Sequence, residues 1–168
     1  MGLPWKNINN FHFNLQAFLE KKVTADFTGG EVTSDVGVMV MRETASKIGI
    51  IEQLTEAIHD ERHQSYVKHE ITELLMQRIF QIICGYEDAN DANDLRIDPG
   101  FKASCDRLPS EADLASQPTM TRFENSMSKK DICGRTSCHS FIANCFRFML
   151  HSAAYVIMHT FREKALTL

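Results

Sequence analysis

The chain has 168 residues, of which 43% are hydrophobic and 24% charged. That composition suits one globular domain and excludes a disordered or low-complexity chain. The formal net charge is −4 and the pI about 6.0, so no global basic excess marks a nucleic-acid partner, and any DNA contact must come from a local cluster of cations.

Residues 1–21 read as an N-terminal tail that opens with three Asn, a Pro and a Trp. Residues 1–13 have one Lys and no long apolar run, the pattern of neither a signal peptide nor a membrane span. Five cysteines, an odd count, then fit reduced thiols and a cytoplasmic protein. Over residues 22–33, β-branched residues on either side of Gly29-Gly30 predict a short β hairpin or bend. Ser34 and Asp35 are placed to cap a helix from about Val36 to Ile48, which Gly49 would stop. A second helix follows at once, with Ile50, Ile51, Leu54, Ala57 and Ile58 on one face, and fades into the polar residues 59–65.

The clearest amphipathic element spans about residues 67–84. Ile71, Leu74, Leu75, Ile79, Ile82 and Ile83 make its apolar stripe, and Glu70, Glu73, Gln77 and Gln81 its polar face. Gly85 ends it. An acidic loop runs to Asp98, where Asp98-Pro99 predicts a cap and first turn of a short helix. Residues 107–117 are loop-like, and Pro118 opens a helix with Met120, Phe123 and Met127. After the polar residues 128–136, a long helix is expected over residues 137–164. It is apolar around nearly its whole circumference, the mark of a helix built for burial on several faces. With only the N-terminal helices to cover it, some of Phe141, Phe148, Tyr155, Met158 and Phe161 are expected to stay exposed as a contiguous patch. Asn144, Arg147, His151 and His159 argue against a membrane span.

No arrangement of reactive groups stands out. Glu87, Asp88, Asp91, Asp94 and Asp98 crowd one loop, as a divalent cation would require. The calcium-loop Gly and closing Glu are missing, however, and Asp and Asn also serve as turn and cap residues. His59 and His63 stand four apart, but Asp60 occupies the place of the zinc-protease Glu. Cys133, Cys138 and His139 lack zinc-ligand spacing, and small buried thiols are the simpler reading. No Gly-rich phosphate loop and no Gly-x-Ser-x-Gly occur. The best-placed positive charge is Arg122, Lys129, Lys130 and Arg135, with Thr119, Thr121, Ser126 and Ser128 as extra donors. This set could neutralise DNA phosphates, or could be a solvated helix end.

Several ordered strings carry more. They are Thr28-Gly29-Gly30-Glu31-Val32-Thr33-Ser34-Asp35-Val36-Gly37, Asp60-Glu61-Arg62, His69-Glu70, Leu74-Leu75-x-Gln77-Arg78 and Gly85-Tyr86-Glu87-Asp88-Ala89-Asn90-Asp91. Leu95-Arg96-x-Asp98-Pro99, Leu114-Ala115-Ser116-Gln117-Pro118-Thr119 and Arg122-Phe123-Glu124-Asn125 follow. The series resembles the DDE-domain group 1 transposases of insertion sequences. Arg135-Thr136-Ser137-Cys138-His139, Ala143-Asn144-x-Phe146-Arg147-Phe148 and Leu150-His151-Ser152 resemble the extreme C-terminal helix of the same family.

The resemblance implies a mainly α fold: the family's helical N-terminal region over residues 22–132, joined to its C-terminal helix over residues 133–168. The ribonuclease-H-like catalytic core that lies between them in the family is missing, with a seam between Lys130 and Arg135. That core holds Mg²⁺ on two Asp and one Glu for in-line phosphoryl displacement. No acidic residue here can be carried over as catalytic, and no cofactor is expected. The reading is a catalytically inactive remnant of a transposase. The alternative is a non-catalytic module that binds DNA or intact transposase and inhibits transposition. Element-end DNA, self-association and intact transposase are the expected partners, with no membrane.

Overall fold

Gly49 is the joint on which the first two helices turn. Its backbone is left-handed (φ +65°), and its N–H donates to the carbonyls of Ala45 (3.0 Å) and Ser46 (3.2 Å). Glycine adopts this conformation without the steric cost borne by other residues. It closes α1, Val38–Ile48, and α2, Ile50–Ala57, starts at the next residue. The computed structural model describes residues 33–60, 62–126 and 139–166.

The start of α1 differs from expectation. Neither Ser34 nor Asp35 caps it with a side chain; Gly37 occupies the N-cap position, and the Val38 N–H donates to the backbone oxygen of Asp35 (2.9 Å). The Asp35 carboxylate instead accepts the Tyr86 hydroxyl (2.9 Å), a long-range bond no local rule anticipates. The next helix in the core, α3, is Ile71–Ile83. It starts later than the periodicity suggests because Gln64–Tyr66 form a separate 3₁₀ turn.

Three short or medium helices follow: α4, Ala92–Leu95, α5, Pro99–Ser104, and α6, Gln117–Ser126. The Asp98-Pro99 signal is realised, since the Asp98 carboxylate accepts the Phe101 N–H (2.9 Å) and Pro99 fills the first turn. Gly100 lies against Thr33, where a Cβ would come within 2.8 Å of the threonine Oγ1. The last helix, α7, is His139–Leu166.

No strand occurs among the described residues, and the domain is mainly α. The hairpin expected over residues 22–33 lies outside them apart from Thr33. No helix among the described residues is long and apolar enough to cross a membrane.

α3 is the central helix, with α7 laid across it, α1, α2 and α5 beside it, and α6 touching both α3 and α7. Its stripe is buried as expected at Leu74, Leu75 and Ile79. Its expected polar face is divided: Glu70 is exposed and Glu73 half-buried, whereas Gln77 and Gln81 are fully buried and Arg78 is buried with them. Gln77 docks the backbone of Ala115, donating to its carbonyl (2.9 Å) and accepting its N–H (3.0 Å). A helix packed on several sides cannot keep a wet face, so its polar groups take internal partners. The Gln81 amide has none among the described residues.

α7 is covered on one face alone, as expected where only the N-terminal helices are there to bury it. Ile142, Phe146, Leu150, Ala153, Ala154 and Ile157 are buried on one face, and the Phe146 ring meets Phe123 of α6 edge-on at 5.3 Å. Phe148 is 74% exposed and Tyr155 67%, with Val156, Met158 and Phe161 also exposed.

A buried ionic cluster joins α3, α6 and α7. One Glu124 oxygen accepts Arg78 Nε at 2.6 Å, and the other accepts Arg147 Nε at 2.7 Å. Arg78 also donates to the backbone oxygens of Tyr86 (3.1 Å) and Glu87 (2.5 Å), and Arg147 to Asn144 (3.0 Å). Arg78 and Glu124 side chains are each 3% exposed, whereas Arg147 is 39% exposed. Removing one partner of a buried pair leaves an uncompensated charge, which costs far more than losing a solvated one.

A second polar corner lies where Tyr86 and Cys84 meet Asp35. Burial, followed by the Asp35 and Asp98 carboxylates, pushes the Cys84 thiol up to about 11. Full burial raises Cys105 well above the usual thiol range. The Tyr86 phenol is raised chiefly because it donates to Asp35.

Two outcomes follow from these packing arrangements. Glu124→Leu should destabilise the fold by about 3–5 kcal/mol in urea unfolding, because Arg78 is stranded. Arg147→Leu should cost less, about 1–3 kcal/mol, because it strips one donor from the buried Glu124 but leaves the Arg78 pair intact. Equal costs would contradict the unequal burial. Folded-state thiol and phenol pKa values raised above their unfolded ones favour the protonated, folded form below the unfolded value. Stability should therefore fall as pH rises from about 9, the ordinary thiol value, to about 11. A urea midpoint unchanged across that window would contradict it, and Cys84→Ala should blunt the fall.

Candidate nucleic-acid interface

The connection from α2 to α3 is held by a local staple. The Asp60 carboxylate accepts the Arg62 backbone N–H (3.0 Å) and two of its guanidinium donors (2.7 and 2.8 Å). Arg62 reaches on to the His69 carbonyl (3.0 Å). A carboxylate two residues before a guanidinium folds the backbone back on itself, as Asp commonly does in turns. Between these anchors, the Gln64–Tyr66 turn projects Tyr66, which is 86% exposed. Its ring lies 5.4 Å from that of His63, tilted by 50°.

Arg107 ties this connection to the segment after α5. It pairs with Glu73 (2.8 Å) and donates to the backbone oxygens of Lys68 (3.4 Å) and Ala112 (3.2 Å). Glu73 also receives His69 Nδ1 at 3.2 Å. The third wall is α6, which presents Thr119, Arg122 and Ser126, with Ser116 just before it. Together the walls enclose an open cleft of about 1060 Å³.

The cleft is locally cationic although the chain is acidic. Among the described residues its lining has five cationic side chains, Arg62, Lys68, Arg96, Arg107 and Arg122, against two carboxylates, Asp60 and Asp113. Asp60 is paired with Arg62, Asp113 with Lys102 (3.3 Å) and Arg96 (3.8 Å), and Arg107 with Glu73 (2.8 Å), so the surplus in the cleft rests on Lys68 and Arg122, which have no carboxylate partner among the described residues. Such a surface attracts anions even where the net charge is negative.

Of the four cations singled out in the sequence, the structure places Arg122 in this cleft. Its guanidinium lies along α6, donating to the Pro118 carbonyl (3.1 Å) and the Thr119 hydroxyl (3.4 Å). Lys129, Lys130 and Arg135 lie outside the described residues. The remaining cleft cations and Tyr66 were passed over, because they come from separate connections spread between residues 62 and 122. No local spacing signals them.

The other candidate groups resolve differently. His59 and His63 do not share a helix face; both sit in the connection after α2 and line the cleft. The Asp88 carboxylate accepts the Asn90 N–H (3.0 Å) and side-chain amide (2.8 Å), a turn role like the cap role of Asp98. No group of three or more His, Cys, Asp or Glu that could hold a metal occurs among the described residues. Cys133 and Cys138 lie outside them, and so does the Lys130–Arg135 seam.

A helical domain stapled around a cationic cleft can attract a polyanion. Residues 15–134 match the family model for transposase DDE domain group 1. The match covers most of the chain, which belongs to this family and so to the proteins of DNA transposition. No curated protein and no solved structure matches it.

The staple yields a direct check. Asp60→Ala should loosen Arg62 and speed hydrogen exchange at residues 62–69 while leaving α3 protected, because the bonds from Arg62 to that carboxylate lie within the connection. Exchange that rises throughout α3 would show that the staple supports the core instead.

Proposed function

We propose that this chain is a catalytically inactive derivative of a DDE transposase that keeps the family's helical, DNA-contacting portion. The observation that carries the reading is the Arg78–Glu124–Arg147 cluster, which binds α7 directly to α3 and α6. In the family, as the resemblance implies, the catalytic domain falls between the segments that form α6 and α7. Here residues 127–138 join them. A folded domain needs about 50 residues or more, so that connection cannot hold a ribonuclease-H-like sheet. Regions 22–132 and 133–168 are then two sequence segments of one packed unit, closed without the catalytic domain.

Among the described residues nothing fits the Mg²⁺ of the family's chemistry. Two-metal phosphoryl transfer needs several carboxylates converging on one point. Asp88 and Asp98 are engaged in turns and caps, Glu124 is buried between two arginines, and no metal-holding group occurs among the described residues. Residues 127–138 have a single carboxylate, Asp131.

DNA contact is assigned to the cationic cleft, with Arg122 as the cation both sequence and structure point to, and with Lys129, Lys130 and Arg135 as its proposed extension. With magnesium or manganese and DNA bearing the element's ends, the protein should bind without nicking or joining strands. Binding should weaken with salt, and each phosphate contact removed should flatten the log–log salt slope by roughly one unit. Cleavage that vanishes when one of this chain's carboxylates is mutated would overturn the inactive reading. Unaltered binding after neutralising all four cations would remove them from the interface.

A second reading, association with another copy or with intact transposase, is favoured by the exposed face of α7. Phe148, Tyr155 and Met158 fall at helical spacing and stand largely in solvent. Beside them Val38, Met41, Ile83 and Phe161 line an apolar groove of about 590 Å³. Contiguous exposed apolar surface of this kind marks association sites, and burying each large side chain is worth about 1.5–3 kcal/mol. Sedimentation at micromolar concentration should show a dimer or larger species, which Phe148→Glu with Tyr155→Glu should dissociate. A monomeric wild-type chain would remove this reading.

A further inference from the structure

The cleft has one component that duplex binding does not explain. Tyr66 is 86% exposed, yet its position is held from both sides. On one flank Asp60 and Arg62 tie the chain to His69, and on the other Arg107 holds the Lys68 carbonyl. A large aromatic ring held out into solvent by two polar staples has no packing role in the core. With the His63 ring 5.4 Å away it forms one edge of the cleft, facing the same space as Lys68 and Arg122.

We propose that this cleft binds an unpaired nucleotide segment of DNA, with a base stacked on Tyr66 and the flanking phosphates on Arg122 and Lys68. The proposal rests on the DNA-contacting reading above and specifies what that site takes. In a duplex the faces of the bases are stacked on one another and only their edges reach the grooves. An aromatic platform therefore gains nothing from paired DNA and gains a stacking partner from an unpaired base. The cations and the Thr119 hydroxyl provide the phosphate donors such a strand needs. At about 1060 Å³ the cleft also exceeds the roughly 300–1,000 Å³ typical of small-ligand pockets, leaving room for a base with its neighbouring phosphates.

The test uses the full chain and two fluorescent DNAs, a blunt duplex and the same duplex with a short single-stranded overhang. The wild type should prefer the overhang. Tyr66→Ala should weaken overhang binding roughly 5- to 150-fold, the usual value of one stacked base. It should leave the blunt duplex and the Tm unchanged, since the side chain is in solvent. Tyr66→Trp should retain the preference, and Arg122→Gln should weaken both DNAs. If the wild type binds both DNAs equally, or if Tyr66→Ala changes neither or lowers both alike, the stacking platform is wrong and DNA contact stands. If the wild type binds neither DNA, the DNA-contacting reading itself fails and this inference fails with it.

Discussion

Glu124 holds its charge out of water between two arginines, and the closure of the whole domain depends on how that charge is satisfied. A carboxylate with 3% exposure is tolerable only when both oxygens have strong donors. Arg78 provides one from the central helix and Arg147 the other from the last helix. Arg78 also holds the carbonyls of Tyr86 and Glu87, so the same guanidinium positions the turn that leaves α3. Three helices and one turn thus meet around a single carboxylate. Such a cluster adds less stability than well-packed apolar side chains would, but its geometry discriminates against other ways of docking α7.

The cleft inherits its shape from that closure. α6 is held by Glu124 and Phe123 on its inner side, which leaves Arg122 on the outer side facing the α2–α3 connection. The opposite wall is set by Asp60–Arg62 and Arg107–Glu73, whose carboxylates are neutralised by the residues they organise. What remains is surplus positive charge in a chain whose net charge is −4. Polar staples and ligand-facing cations are therefore the same residue types serving two purposes. Partner geometry tells Arg62, which shapes the wall, from Arg122, whose bonds among the described residues run along its own helix.

The family strings take on physical content in this frame. Leu74-Leu75-x-Gln77-Arg78 gives the apolar stripe together with two buried polar anchors. Leu114-Ala115 is where Gln77 grips the backbone, and Arg122-Phe123-Glu124 combines an exposed cation, a core ring and the buried carboxylate. Phe146-Arg147 returns from α7 to meet the last two. The matched span ends at residue 134, before α7 begins, yet α7 supplies one of the three members of the cluster. The exposed half of α7 has no counterpart partner within the described residues, and it is there that association is proposed.

Local chemistry determined much of the chain by itself. Gly49 permits the left-handed backbone that ends α1, Asp98-Pro99 starts a helix, and the spacing of Leu74, Leu75 and Ile79 defines a buried face. These are properties of a residue and its near neighbours, so they are legible without a fold. The destination of each polar group was decided only by tertiary structure. Gln77 and Gln81 look like a wet face because helical periodicity records which residues align, not how many sides of the helix are covered. Phe148 and Tyr155 are as apolar as the buried side of α7, and only the number of helices packed on it leaves them in solvent. Asp35 reads as a cap, but Tyr86 lies 51 positions away in sequence and takes its carboxylate. The cleft is the extreme case, since Arg62, Tyr66, Lys68, Arg96, Arg107 and Arg122 come together only once the connections between helices fold onto one another. Charges scattered along a chain acquire a common field only when packing brings them within a few ångströms, and no sequence pattern records that distance.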